Sequence, residues 1–310
     1  MNASRTTEIA LSERMPHVRG FELSLPWLLW RSLRRDRAAM LGLALFGLWV
    51  AVGLAGPSLM SADPNAQDLS AALRPPAWEE GGTRAQPLGS DHLGRDMLGR
   101  IVYGGRTSMV VGVSAVALAA VVGTLAGLFA AEWGGYVDEV LMRLADVQLS
   151  IPFILLAITV LALLGGSTLN MVLVLVLAGW VIYARVIRSE LLYLREVEFV
   201  QAARGLGARR SRVVFRHLLP NATGLVVVVA TLELANVIIL EAALSFLGVG
   251  IRPPQVSWGA MLADGRDYLT TEWWVATLPG VAITLTILGV NLVGDWARDV
   301  LDPRHARTER

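Results

Sequence analysis

The stretch that decides the fold is Pro152-FILLAITVLALLGGSTLNMVLVLVLAGWVIY-Ala184, which contains 33 consecutive residues without a charge. A single helix of this length would extend for about 50 Å, whereas the hydrocarbon core of a bilayer is only about 30 Å thick. Gly165-Gly166-Ser167-Thr168 lies near its middle and is a typical turn sequence. We therefore predict two membrane-spanning helices here, over 147–164 and 169–187.

Four further stretches are long and apolar enough to cross a membrane. They cover residues 38–60, 107–131, 222–248 and 275–296, and the first two contain no charge. Of the 310 residues, 54% are hydrophobic and 17% are charged, which differs from the balance in a soluble globular domain. The sequence predicts an all-α, polytopic membrane protein with about six transmembrane helices.

The distribution of arginine tests this count, because the cytoplasmic loops of membrane proteins collect Arg and Lys. With six spans and a cytoplasmic N-terminus, 20 of the 27 arginines lie inside and 7 outside. If 152–184 formed one helix, the arginine-rich 185–220 segment would move outside and the asymmetry would largely vanish.

We expect both termini in the cytoplasm. The predicted organisation is a tail over 1–37, the first transmembrane helix over 38–60 as an uncleaved anchor, an extracytoplasmic loop over 61–105, a five-helix domain over 106–297 and a tail over 298–310.

Residues 25–35 combine aromatic, leucine and arginine side chains just before the first span, which is typical of a helix in the cytoplasmic membrane interface. A disordered basic flank is the alternative.

Several functions are excluded or disfavoured by composition. The chain has no cysteine, which excludes disulfides, thiolate metal sites and a cysteine nucleophile. All its basic residues apart from four scattered histidines are arginine, so it cannot supply the phosphate-binding lysine of a P-loop. The net charge of +1 does not indicate a nucleic-acid partner. We predict no cofactor, no metal and no catalytic residue.

The segment 198–221, EFVQAARGLGARRSRVVFRHLLPN, is the most informative loop. Phe199, Ala202, Ala203 and Leu206 follow helical spacing and predict a short amphipathic helix that ends near Gly207. Small residues on such a helix suit insertion into a groove on a partner. The alternative is a basic interfacial loop that binds nothing.

Three motifs in order resemble one family. Gln201-Ala202-Ala203, Gly207 and Leu219-Pro220 resemble the EAA loop in the membrane subunits of bacterial ABC importers, with Gln in place of the Glu of that motif. Two further segments resemble the dipeptide/oligopeptide branch, which has nickel and glutathione members. The first is PLGSDHLGRDMLGRIVYGGRTS at 87–108. The second is EAALSFLGVG at 241–250, followed by Pro253-Pro254 and Ser257-Trp258-Gly259. The similarity covers about 26–303, and the chain is identified as a C-type subunit of the peptide permease pair.

This resemblance implies a type I ABC importer fold and a translocation role without enzymatic activity. It implies that 198–221 docks on a separate ATPase through Gln201, Ala202, Ala203, Gly207, Leu219 and Pro220. The implied partners are a second homologous permease subunit, two cytoplasmic ATPase subunits and an extracytoplasmic substrate-binding protein. The implied location is the bacterial inner membrane, and the implied cargo is short peptides, with nickel or glutathione as alternatives.

Polar residues inside a span are costly and indicate function. The fifth span carries Glu233, Asn236 and Glu241, and the two carboxylates are about 12 Å apart along a helix and about 80° apart around it. We predict that all three line the translocation pathway. Alternatively, Glu241 lies at the outer water interface and Glu233 pairs with another helix. One rival function is an ion-coupled secondary transporter that uses both carboxylates as a proton relay. The lack of an evident internal repeat disfavours it. The other rival is an intramembrane enzyme, for which no motif is found.

Overall fold

The computed structural model describes residue 30 and residues 32–59 and 63–301. These residues form helices, turns and two isolated bridges, and within them no strand occurs, as the all-α prediction requires. The helices are α1 (Arg37–Leu59), α2 (Met97–Trp133), α3 (Gly135–Ser150), α4 (Phe153–Leu164), α5 (Thr168–Arg195), α6 (Glu198–Gly205), α7 (Arg210–Val213), α8 (Leu219–Phe246), α9 (Trp258–Gly265) and α10 (Trp274–Leu301). A π-helical turn, Val214–Leu218, joins α7 to α8.

Two predicted segments fall partly outside the described residues. In the predicted interfacial helix over 25–35, residue 30 and residues 32–35 are helical, and the rest is not described. Of the predicted C-terminal tail, residues 298–301 belong to α10 and the remainder is not described.

Side-chain caps explain where three helices begin. Asp96 accepts a hydrogen bond from the backbone N–H of Gly99 at 2.8 Å, and Ser167 accepts one from Asn170 at 3.1 Å. Ser257 does the same for α9. Each cap satisfies an N–H group that the first helical turn leaves without a partner. The cap of Asp96 starts α2 ten residues before the predicted span, so the end of the predicted 61–105 loop is helical.

The predicted continuous helix over 147–164 is wrong. α3 and α4 meet at Ile151-Pro152 with a bend of 88°. Proline has no N–H to donate and its ring disfavours a helical residue before it, so α3 ends at Ser150. The α3–α4 pair therefore replaces the single straight helix expected here.

Helix directions show how often the chain traverses the bundle. On α2, Ala119, Gly123 and Gly127 face Gly179, Tyr183 and Ile187 of α5 in the same order. α2 and α5 therefore run parallel, and the bent pair α3–α4 between them returns the chain from one end of the bundle to the other. Among the described residues, five helices are long and apolar enough to span a membrane, or six if the bent pair counts as one span. The predicted number of about six agrees with this.

Two ends of the bundle can be distinguished. The arginine-rich end carries the last turn of α2, the start of α3 and residues 185–220. The opposite end carries residues 63–97, the turn at Gly165-Gly166 and residues 250–272. The indole N–H of Trp296, in α10, donates a hydrogen bond to the hydroxyl oxygen of Ser32 at 3.3 Å.

Glycines allow α2 and α5 to approach closely. A Cβ added at Gly123 would lie 2.5 Å from the Cβ of Tyr183, and one added at Gly127 would lie 2.5 Å from the carbonyl oxygen of Ala184. Real side chains do not tolerate such distances. In membranes, where lipid is as apolar as leucine, close packing through small residues is a main source of helix association.

This packing yields a stability prediction. We expect Gly123→Ala to destabilise the protein by about 1–3 kcal/mol, because the added methyl group must displace α5. Thermal unfolding in detergent measures the change. The matched control is Gly224→Ala in α8, where a Cβ meets nothing within 4 Å and where alanine is better than glycine by about 0.5–1 kcal/mol in a helix. Equal gains in thermal stability for Gly123→Ala and Gly224→Ala would contradict the close contact at Gly123.

A buried ion network holds the opposite end together. Asp91, with a fully buried side chain, accepts hydrogen bonds from Nε of Arg95 at 2.6 Å and from Nη1 of Arg100. Both guanidiniums also contact Asp264 of α9, at 3.0 and 3.1 Å. The network therefore joins the 63–96 segment to α2 and α9, so this segment is more ordered than the loop predicted from its prolines and glycines.

Two opposing effects set the pKa of Asp91. Burial raises the pKa, but the guanidiniums of Arg100 and Arg95 and two backbone N–H groups lower it by more, so the net pKa lies below that of a free aspartate. The ion pairs thus stabilise the fold fully above about pH 4, the unfolded value. That stability is lost as the pH falls through the lower folded pKa.

We expect Asp91→Asn to cost about 3–5 kcal/mol, because it removes the fully buried one of the two carboxylates that the buried guanidiniums share. Chemical denaturation at neutral pH measures this loss. Asp264→Asn serves as the control, since its side chain is 35% exposed, so water screens its pairs and the loss should be smaller. A loss for Asp91→Asn no larger than the control's would show that the buried network is not the anchor.

Candidate functional site

The segment after α5 forms the short helix expected from its sequence. α6 covers Glu198–Gly205, and the chain turns away at Gly207, whose φ is +82°. Backbone hydrogen bonds from Leu206 to Ala202 and from Ala208 to Ala203 close the end of the helix. The helix thus ends near Gly207, as predicted, and Gly207 has a left-handed conformation. Glycine adopts it without the Cβ clash that other residues suffer.

The two faces of α6 differ in burial. Val200 is fully buried and packs with Leu194, Val213 and other apolar residues at the arginine-rich end. Phe199 is 43% exposed and Leu206 is 90% exposed. The predicted apolar face of α6 therefore points outward, and the bundle is held by Val200, a residue that sequence reasoning missed because a single valine carries no periodic signal.

The candidate coupling residues lie mostly on this outward surface. Gln201, Ala202 and Gly207 are exposed and Ala203 is half-buried. Gln201 donates to the carbonyl oxygen of Glu196 at 3.1 Å. The surface thus combines small and apolar groups with the exposed polar side chains of Glu198, Gln201 and Arg204.

Leu219 and Pro220 belong to a different element, the first turn of α8, with Leu219 half-buried and Pro220 exposed. The preceding π-helical turn contacts α6 through the rings of His217 and Phe199, whose centroids are 6.2 Å apart. The structure therefore connects the two parts of the motif through the intervening turn.

A groove of about 370 Å³ runs between α4, α5 and α8. Glu233 and Asn236 both line it, and Asn236 Nδ2 donates to Glu233 Oε1 at 3.2 Å. The remaining lining residues are Phe153, Ala178, Gly179, Val237, Ile239 and Leu240. The groove is apolar except for this one amide–carboxylate pair.

Glu241 does not line this groove. It is 1% exposed and accepts hydrogen bonds from Ser108 of α2 at 3.0 Å and from Ser245 at 2.8 Å. It is therefore enclosed in the bundle, neither in the groove beside Glu233 nor at a water interface. Ser245 stands one helical turn after Glu241 and could have been found by spacing, whereas Ser108 is 133 residues away and could not.

A second cavity, of about 690 Å³, opens at the opposite end. Tyr103, Arg106 and Thr107 of α2 line it together with Thr168 and residues 254–256. Arg106 has no distinctive sequence signal, because it lies just before the uncharged part of α2.

The described residues contain no group of three or more His, Cys, Asp or Glu side chains that could hold a metal ion. No residue of either cavity forms a recognisable catalytic arrangement.

Comparison with known families gives two matches. Residues 123–307 match the binding-protein-dependent transport system inner membrane component, and residues 24–76 match the N-terminal transmembrane domain of oligopeptide transport permease C. The first match covers more than half of the chain, including α6 and the groove.

Curated relatives extend over nearly the whole chain. A di/tripeptide transport system permease protein of Pseudomonas aeruginosa is 38% identical over 275 residues, which cover 89% of this chain and 91% of the relative. A dipeptide transport system permease protein of Alkalihalophilus pseudofirmus is 37% identical, with 90% of each chain covered. A probable D,D-dipeptide transport system permease protein of Escherichia coli is 39% identical over 80% of this chain and 81% of its own length.

The fold is similar to that of a solved chain of the MetNI methionine ABC transporter, in inward-facing conformations, with a TM-score of 0.54 and 20% identity. The similarity covers 66% of this chain and 97% of that chain and confirms the expected type I ABC importer fold. On the family match and the curated relatives together, this chain belongs to the family of inner membrane components of binding-protein-dependent transport systems.

Proposed function

We propose that this chain is the permease subunit of an ATP-driven importer of short peptides. Its relatives of 37–39% identity are named as peptide, di/tripeptide or dipeptide transport permeases. The observation that carries the proposal is the exposed surface of α6, which ends at the left-handed Gly207. A short helix with outward small and apolar residues fits a groove on a partner.

In this proposal, ATP is hydrolysed by two separate cytoplasmic ATPase subunits, because this chain has no lysine for a P-loop. A second homologous permease subunit completes the pathway, and an extracytoplasmic binding protein delivers the peptide. The arginine-rich end then faces the cytoplasm, in keeping with the excess of arginine in its loops. Both termini lie on that side.

Glu233 and Asn236 contribute to the translocation pathway in this proposal. They are polar, they line a groove, and a carboxylate that faced lipid would be costly. Glu241, with its serine partners, acts instead in packing α8 against α2.

The docking role of α6 gives a first test. We expect Ala202→Trp to displace the ATPase subunits, because the indole ring would overlap the partner's groove. A clash of about 2 kcal/mol weakens binding roughly thirtyfold. Retention of the ATPase during purification of the complex measures the effect.

The matched control is Glu139→Trp, an exposed position of α3 at the same end of the bundle. It adds the same side chain outside α6 and should leave the ATPase bound. If Ala202→Trp also retains the ATPase, α6 is not the docking element.

The groove gives a second test. We expect Glu233→Leu to lower peptide uptake roughly tenfold, equivalent to about 1.4 kcal/mol, while the complex assembles normally. Uptake into reconstituted vesicles and subunit composition are the two measurements. Glu233→Gln separates the contribution of the charge from that of the hydrogen bond with Asn236. Normal uptake by both variants would assign Glu233 to packing.

A further inference from the structure

One buried carboxylate at the arginine-rich end contacts arginines on both sides of α6. Glu132, the penultimate residue of α2, has a side chain only 4% exposed. Its Oε1 lies 3.5 Å from Nε of Arg195, the last residue of α5, and its Oε2 lies 2.7 Å from Nε of Arg210, in α7. The two arginines bracket residues 196–209, which include α6.

The two arginines are attached to α2 in different ways. Arg195 also donates to the backbone carbonyls of Ala131 and Glu132, so its attachment does not depend on the carboxylate alone. Arg210 reaches α2 only through side chains, namely the Glu132 carboxylate and the ring of Trp133, 5.6 Å from its guanidinium carbon. Loss of the Glu132 charge therefore acts mainly on Arg210.

α2 can carry a displacement from this point. It is a continuous helix of 37 residues, about 55 Å long, and packs against α5 through Gly123 and Gly127. Its other end carries Arg106 and Thr107, which line the 690 Å³ cavity. A shift of Arg210 relative to residues 131–133 would therefore act on α2, and α2 extends to the opposite end of the protein.

We propose that Glu132 is a positioning residue for energy coupling, whose ion pair with Arg210 transmits movement of α6 to α2. This inference rests on the proposed function, in which α6 docks on an ATPase. The Arg210 side chain is 60% exposed. The Glu132 carboxylate is buried, however, so separating the pair would leave a buried charge without this partner, which is costly. The pair therefore stays closed when α6 moves and carries that movement to α2.

A double-mutant cycle tests the proposal. Glu132→Gln and Arg210→Gln each remove one partner, and the double variant removes both. In vesicles containing the full transporter, we expect each single variant to bind the ATPase normally. Each should reduce the stimulation of ATP hydrolysis by peptide-loaded binding protein roughly fivefold or more, within the usual range of coupling between sites. The double variant should be no worse than either single variant, because all three lack the same pair.

Arg212→Gln is the matched control. It removes an arginine charge two residues along the chain, from an exposed side chain that forms no ion pair with the described residues. Stimulated hydrolysis should stay normal. Equal losses in Arg212→Gln and Arg210→Gln would assign the effect to net charge and overturn the proposal.

Three other outcomes would also overturn it. They are unchanged stimulation in Arg210→Gln, additive losses in the double variant, and loss of ATPase binding in either single variant, which would indicate docking instead of transmission. If Glu132→Gln does not fold, Arg210→Gln decides alone, since its side chain is mostly exposed. Failure of this inference leaves the proposed function intact as long as Ala202→Trp displaces the ATPase, whereas retention of the ATPase by Ala202→Trp counts against both.

Discussion

The close approach of α2 and α5 is the contact on which the rest of the structure depends. Gly123 and Gly127 of α2 lie against Tyr183, Ala184 and Ile187 of α5, at distances that leave no space for a Cβ. Because lipid offers no hydrophobic drive for helix association, such interdigitation and buried polar contacts must hold the bundle together. The parallel direction of the two helices in turn requires α3 and α4 to bring the chain back, with a bend at Pro152.

Ion pairs secure both ends of α2. At the opposite end, Asp91 contacts Arg95 and Arg100, and at the arginine-rich end Glu132 contacts Arg195 and Arg210. Between them the helix packs through small and apolar residues. This arrangement joins the proposed ATPase-docking surface and the 690 Å³ cavity through one continuous element.

The two glutamates of α8 show that side chains of the same type can have different surroundings on one helix. Glu233 lines a groove and contacts Asn236, whereas Glu241, two helical turns further on, is enclosed by Ser108 and Ser245. Buried polar groups need hydrogen-bond partners, and Glu241 has them within the bundle. The sequence placed both carboxylates on one helix, but helical spacing cannot state which neighbours cover each side.

Local rules determined much of this protein from its sequence. Uncharged stretches and arginine distribution predicted the number of crossings, and the spacing from Phe199 to Gly207 predicted α6 and its glycine stop, because these depend on neighbouring residues and on the bilayer. The motifs identified the family. The tertiary structure alone decided the inward role of Val200, the enclosure of Glu241 and the contacts of Glu132 with Arg195 and Arg210. The contacts of Glu241 with Ser108 and of Glu132 with the two arginines join residues 63 to 133 positions apart, and which of them meet is set by how the helices pack, not by any local pattern.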